Sequence, residues 1–472
     1  VARRRGRVSG RPARRGGGDA ADKGTSQMSK QLQEPILDRG IRNTNFFNGR
    51  LLTADDLKTE QAASRESRRQ LGRAVGDGVV QGLEVVLVSP GTTTTSPVVS
   101  VTKGLALNRR GQTLALPDAQ QVALTRRLDV APPEVGAFAV CDPPTYTFSN
   151  LNDGVYVLVV GPASGFQEYA PMRGQRPGDS ASGCGNRYAV EGVKFRLAKL
   201  DVSAMTQVSA ATRTQISALM AAGDAPSLSK LRNLLAHLCF GTEELSALAR
   251  DLLKASGDIS AYASYGAIDF LRARGELTDC EVPLALVYWS AGAARFADMW
   301  SVRRRVTHGA LSLPPLLADR RAAEGEAVIQ QFQEHVESLR TTESFPELAI
   351  ASNYFRYLPP AGIIPFKQGV TKGFSTNTFF SGIVRRQPEF IDGSVVRALL
   401  REAVNYEPFD LTSGELVWLY KVRQNVETDQ GGTVPPTYLV FAGPHVPYKA
   451  TPRFDREHWD FSNYGCEKDG AA

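Results

Sequence analysis

The chain has 472 residues, 42% hydrophobic and 22% charged, with a formal net charge of +6. That length allows two to four domains with real cores, and the composition is that of a globular protein rather than a disordered or collagen-like one. No window approaches about 18 uninterrupted apolar residues, which argues against an apolar membrane-spanning helix.

The basicity is local. Residues 1–27 carry seven arginines and Lys23 against Asp19 and Asp22, which accounts for the whole net charge and leaves the rest neutral. Nucleic acid is therefore not an expected partner. This Gly/Arg/Ala stretch reads as a disordered arm able to touch phosphates or acidic surfaces, an inert tail, or a product of start-codon choice ahead of Met28. It lacks the apolar stretch of a secretory signal. Residues 1–40 are expected to be tail and linker.

A helix is predicted from Thr53 onward. Thr53 and Asp56 fit the capping-box spacing, and Asp55 and Asp56 suit the positive end of a helix dipole. The following residues, Lys58 to Gln70, hold few large apolar side chains, and the glycines from Gly72 to Gly78 are expected to stop the helix. Short strands follow at Val79–Val88, Val98–Thr102, Leu105–Leu107 and Leu114–Leu116. They are joined by the polar loop Ser89–Pro97 and a turn at Asn108–Gly111. Such short strands must pack on something else.

Val155–Val160 and Tyr188–Leu200 read as strands, separated by an exposed Gly/Pro/Ser-rich loop of about twenty residues, Gly165–Gly185. From about 203 to 275 the pattern turns helical, with Leu228, Leu231, Leu234, Leu235 and Leu238 at helical spacing and a continuation at Glu243–Leu253. A hairpin is predicted at Val282–Trp289 and Ala294–Arg303, turning at Ser290–Ala293. A long charged helix (Leu316–Leu339), a Pro-rich connector (Leu358–Pro365), a helix (Ser394–Val404) and strands (Glu415–Val422, Thr437–Ala442) complete the chain. The end, Tyr448–Ala472, is an aromatic-containing tail.

The expected fold is α+β and multi-domain, with β-rich modules, a helical insertion and long helices. Its parts are a helix-plus-β module (41–200), a helical subdomain (201–275), a hairpin with a long helix (276–345), and a C-terminal α+β module with a tail (346–472).

The residues offer little chemistry. The five histidines show no metal-ligand spacing, and no P-loop, G-x-S-x-G or dinucleotide fingerprint occurs. His237 lies in a leucine-rich helix and reads as a core residue. Glu457-His458-Trp459-Asp460 has the ingredients of a charged site near the end of the sequence. Cys184 between two glycines reads as a turn residue entering the Tyr188 strand, or as an exposed thiol. The five cysteines are widely spaced and form no C-x-x-C, which suggests reduced thiols in a cytoplasmic setting. Arg303–Arg305 and Arg385–Arg386 read as surface or interface ion pairs. No catalytic residue, cofactor or metal is expected.

The block FFNGRLLTADDL (46–57), GVVQGLEV (78–85) and VTKGLALNRRGQTLAL (101–116) resembles uncharacterised proteins of bacterial contractile injection systems, the phage-tail-like particles. CGNRYAVEGVKFRL (184–197), VPLAL (282–286) and YLPPAGIIP (357–365) fit the same family. The resemblance implies a non-enzymatic structural component, associated with baseplate, spike or cap. Its partners would be other particle proteins and itself in a symmetric ring. Phe46, Phe47, Arg50 and Leu51 would form a packing anchor, and Tyr357, Pro359 and Pro360 an ordered connector at an interface. The alternatives are a receptor- or carbohydrate-binding module with exposed aromatics around Trp289, Trp300 or Trp459, and a cargo cell-wall hydrolase with clustered carboxylates or a Cys/His pair.

Overall fold

The computed structural model describes residues 37, 40–92, 95–125, 153–172, 183–206, 208–244, 266–306, 319–342, 346–366, 373–423 and 437–446. The fold is α+β. The chain divides into two units, Val1–Ala63 and Ser64–Ala472.

In the first unit the FFNGR turn leads into helix α1 (Ala54–Val75). Thr53 and Asp56 close a reciprocal capping box: Asp56 N–H donates to Thr53 Oγ1 (3.2 Å), and Thr53 N–H donates to Asp56 Oδ2 (3.0 Å). Two donors that a helix start leaves over are thereby satisfied.

In the second unit α1 runs through Gly72 and stops only at Gly76, where φ is 109°. Gly72 has another use. A Cβ there would lie 2.2 Å from the carbonyl oxygen of Gly111, in the turn that follows β4. The glycine run permits a close crossing rather than ending the helix.

Strands β1 (Gly78–Gly82), β2 (Val85–Ser89), β3 (Val98–Val101), β4 (Gly104–Leu107), β5 (Thr113–Leu116) and β6 (Gln120–Ala123) form two small sheets, β1-β4-β5 and β2-β3-β6. The Asn108 turn joins β4 to β5. The Asn108 side chain accepts from Arg110 N–H (3.1 Å) and Gln112 N–H (2.9 Å), and donates to the carbonyl of Cys280 (3.0 Å).

The central sheet is antiparallel, in the order β10-β9-β7-β8. Its strands are β7 (Gly154–Met172), β8 (Gly183–Leu200), β9 (Val282–Ser290) and β10 (Ala293–Asp298). Alternation along β7 divides its side chains between two cores. Tyr156, Leu158 and Val160 face the small sheets. Val155, Val157 and Val159 face α2 (Ala210–Ala222), α3 (Ala225–Phe240) and α4 (Gly266–Ala273). Both faces being covered explains why this run is continuously apolar. The 282–298 hairpin turns on Ala291 (φ 51°) and Gly292 (φ 77°), the positive pair a tight two-residue turn requires.

The expected loop at Gly165–Gly185 is corrected. β7 and β8 continue their pairing to Met172↔Gly183, well beyond β9, whose last partner on β7 is Val160. Only residues 173–182 of that stretch lie outside the described residues. Composition suggested a loop because Gly and Pro are frequent there; pairing with a second strand overrides it.

Helix α5 (Asp319–Thr342) packs against a second mixed sheet, β12-β16-β15-β13. These strands are β12 (Ala361–Pro365), β13 (Glu389–Phe390), β15 (Trp418–Arg423) and β16 (Thr437–Ala442), with the short pair β11 (Tyr357–Leu358) and β14 (Phe409–Asp410) beside them. One face holds a phenylalanine cluster: Phe332, Phe355, Phe374, Phe379, Phe380 and Phe441, with neighbouring rings 5.1–6.3 Å apart. Each such pair contributes about 0.5–1.5 kcal/mol beyond area burial. The other face packs α6 (Gly393–Ala403).

The helices also dock strand edges through amides. Asn233 in α3 accepts from Tyr357 N–H and donates to its carbonyl (both 3.0 Å). Gln333 in α5 does the same for Ile363 (2.7 and 2.9 Å). Each side chain stands in for a neighbouring strand. Where α5 meets the end of α6, a Cβ on Gly325 would lie 2.0 Å from the carbonyl oxygen of Val404. Gly325→Ala is expected to cost about 2 kcal/mol by forcing these helices apart. A urea midpoint equal to wild type would show that they separate freely.

Cys239 is a free, buried thiol. Cys280 is disulfide-bonded, and its partner lies outside the described side chains. This corrects the expectation of reduced thiols throughout. Sequence spacing does not reveal which cysteines meet in space. Among the described residues no helix is long and apolar enough to cross a membrane.

Candidate functional site

In the first unit Phe46 (55% exposed), Phe47 (63%) and Leu51 (89%) present apolar side chains to solvent. Arg50 is held against Asp56 by an ion pair and donates to the carbonyl of Asn45 (2.7 Å). Its guanidinium also lies 5.9 Å from the Phe47 ring. Hydrogen bonds from Thr53, followed by Arg50, hold the Asp56 carboxyl below the usual range. The acidic pair therefore builds a helix start, and Arg50 organises the turn that displays the aromatics.

Tyr357, Pro359 and Pro360 lie in the second unit and are buried. They face the chain's own core rather than an open surface. The Tyr357 ring stacks on His237 (4.8 Å), and its hydroxyl donates to Glu243 (3.2 Å). His237 Nδ1 pairs with Thr242 Oγ1 (2.9 Å). Burial, reinforced by Arg356, pulls the His237 pKa down to about 3. His237 is thus the satisfied core residue its leucine-rich helix predicted.

Sequence spacing did not reveal a second buried cluster between α3, α5 and the end of β10. Ser229 Oγ and His335 Nε2 are 2.7 Å apart, the spacing of a nucleophile and its base. Both are buried, and His335 Nδ1 has no hydrogen-bond partner to orient the ring. Burial holds His335 well below its ordinary pKa, a poor setting for a general base near neutrality.

The nearby carboxylate, Asp298, is fully buried and fully engaged. It accepts from Arg232 Nε (2.6 Å), Gln331 Nε2 (3.0 Å) and Ser301 N–H (3.1 Å). Burial pulls its pKa up, but Arg232, Gln331 and Ser301 outweigh it and leave the carboxyl below the usual range. This geometry ties helices and sheet together; it does not aim a nucleophile at a cleft.

The extended β7–β8 ribbon is the most distinctive surface feature of the described residues. Residues 165–169 and 186–192 are exposed, including Phe166 (52%), Tyr169 (75%), Tyr188 and Val190. Register places Phe166 opposite Ala189 on one face, and Gln167 opposite Tyr188 on the other. Both faces therefore carry exposed apolar groups. Arg187 pairs with Glu168 (3.0 Å) and covers the Tyr188 ring (4.9 Å), and Arg65 in α1 reaches Glu191 (3.2 Å). The alternation Tyr188-Ala-Val190 was the available signal.

The remaining candidates divide clearly. Trp289 is buried in the central core, and Trp300 is partly buried beneath Arg303. The exposed aromatic cluster expected of a carbohydrate-binding module is therefore not at these two positions. Arg303 donates to the carbonyl of Gly82, Arg304 to those of Trp300, Ser301 and Arg303, and Arg305 pairs with Glu326 (3.2 Å). Arg385 donates to the carbonyl of Phe380 (2.8 Å). Cys184 lies within β8, opposite Pro171. Glu457, His458 and Trp459 lie outside the described residues. Among the described residues, no His/Cys/Asp/Glu group could hold a metal. No protein-family model and no curated protein matches the chain.

Proposed function

We propose that the chain is a non-enzymatic structural component of a contractile injection, phage-tail-like particle, assembled in the cytoplasm. It would sit at the baseplate, spike or cap, against other particle proteins and further copies of itself. The observation that carries this reading is the β7–β8 ribbon. Residues 161–172 extend roughly 40 Å beyond the last β9 contact, and with their β8 partners they bear exposed aromatic side chains on both faces. A free two-stranded ribbon is only marginally stable in water, and solvent gains nothing from Phe166 and Tyr188. A neighbouring subunit covering the ribbon would supply the missing burial, and ring symmetry would multiply that contact. The resemblance of residues 46–57, 78–85 and 101–116 to injection-system proteins supplies the kind of assembly.

The test is co-sedimentation with particles from lysate of the source cells. Wild-type chain is expected at a fixed ratio to sheath protein. A Phe166→Ser/Tyr169→Ser/Tyr188→Ser variant should keep its melting temperature within about 2 °C, because these side chains touch no core. It should nevertheless be lost from the particle fraction. Wild-type chain found wholly in the supernatant beside intact particles would overturn the reading.

A further inference from the structure

A groove of about 870 Å3 lies between α5 and α6. Its floor is apolar, formed by Ile329, Val396, Leu400 and Val404, all belonging to one hydrophobic cluster. Arg397 and Arg401 stand one helical turn apart on its rim, exposed, with no hydrogen bond or ion pair among the described residues. The Arg305–Glu326 pair also lines it. An apolar floor edged by unpaired guanidinium groups suits a segment with large apolar side chains and carboxylates.

We propose that this groove is the docking site for the chain's own C-terminal sequence, residues 447–472. Two observations select that occupant. The described chain ends at Val446, itself buried in the cluster that forms the groove floor, beside Leu399 and Ala403. The sequence beyond it carries Phe454, Trp459, Phe461 and Tyr464 interleaved with Asp455, Glu457 and Asp460; Arg456 is the one arginine or lysine among them, and the flanks add Lys449, Arg453 and Lys468 against Glu467 and Asp469. Aromatic groups match the floor, and the carboxylates match Arg397 and Arg401. Thirteen residues separate Val446 from Trp459, a reach of up to roughly 40 Å. Tethering so close holds the segment at millimolar effective concentration, so contacts within one chain outcompete those from a second copy. The inference does not depend on membership of a particle.

The experiment uses the full chain with Trp459 replaced by the photo-crosslinker p-benzoylphenylalanine. After irradiation the product is separated by size, and the crosslinked peptides are mapped by mass spectrometry. The expected result is a crosslink on the monomer to residues 319–330 or 393–404. Combining the probe with Arg397→Glu/Arg401→Glu should lower that yield about tenfold, as attractive rim charges become repulsive. Crosslinks only to other surfaces, or only in covalent dimers, would overturn the proposal. So would an undiminished yield in a charge-reversed chain whose melting temperature is unchanged. The first arm needs no groove variant, so it stands even if charge reversal affects folding.

Discussion

Arg232→Leu is expected to lower the unfolding free energy by about 3–5 kcal/mol. The reason lies in what it leaves behind. Asp298 has no solvent exposure, and its charge is balanced at 2.6 Å by Arg232 Nε. Gln331 and the Ser301 N–H remain after the substitution, but neither carries a charge. An uncompensated buried carboxylate must either stay ionised at high cost or take up a proton. Arg232→Leu/Asp298→Leu should therefore lose much less than the two single changes added together. Urea unfolding of the four proteins at pH 7.5 measures this. Additive losses would mean that the pair is solvated and the network is not a unit.

Acid should weaken the protein well before its carboxylates titrate. His237 and His335 are buried and neutral, with pKa values pulled down by burial, to about 3 for His237. Their ordinary value is 6.5, so below that pH the unfolded chain binds protons that the folded chain refuses. The stability they contribute is complete above pH 6.5 and falls as pH drops toward the folded pKa. For His237 the loss at pH 5.5 relative to pH 7.5 is on the order of 1 kcal/mol, and His335 acts in the same direction. Glu244 and Glu334 oppose this at lower pH, because burial raises their carboxyls and favours the protonated folded form. His237→Gln should reduce the loss between pH 7.5 and 5.5 by on the order of 1 kcal/mol, whatever its effect on absolute stability. A loss of the same size in the variant would show that His237 titrates as freely in the folded chain as in the unfolded one.

Local rules read well wherever the cause was local. The Thr53–Asp56 capping box, the hairpin at Ala291-Gly292 and the strand at Thr437–Ala442 all form where sequence placed them. Val155–Val160 announced a buried strand, and the fold covers it with a core on each face. The misjudged pieces share a different cause. Gly72 looked like a helix stop until Gly111 was seen against it. Gly165–Gly185 looked like a loop until the matching half of the ribbon was paired with it.

Helix α5 shows the limit most clearly. By sequence it is a long charged helix. In the fold Gln331 and His335 are buried, and Gln333 bonds the β12 edge. Each of these polar groups finds its partner in another element, and no periodicity can reveal a partner. The order of elements, their types and the capped helix start were set by short-range sterics and hydrogen bonding, so the sequence by itself determined them. The protruding ribbon joins residues from 11 (Met172 and Gly183) to 33 (Gly161 and Lys194) positions apart, the Arg232–Asp298 centre residues 66 apart, and the α5–α6 groove residues of two helices with β11, β12 and β13 between them in the chain, and only the tertiary structure decided them.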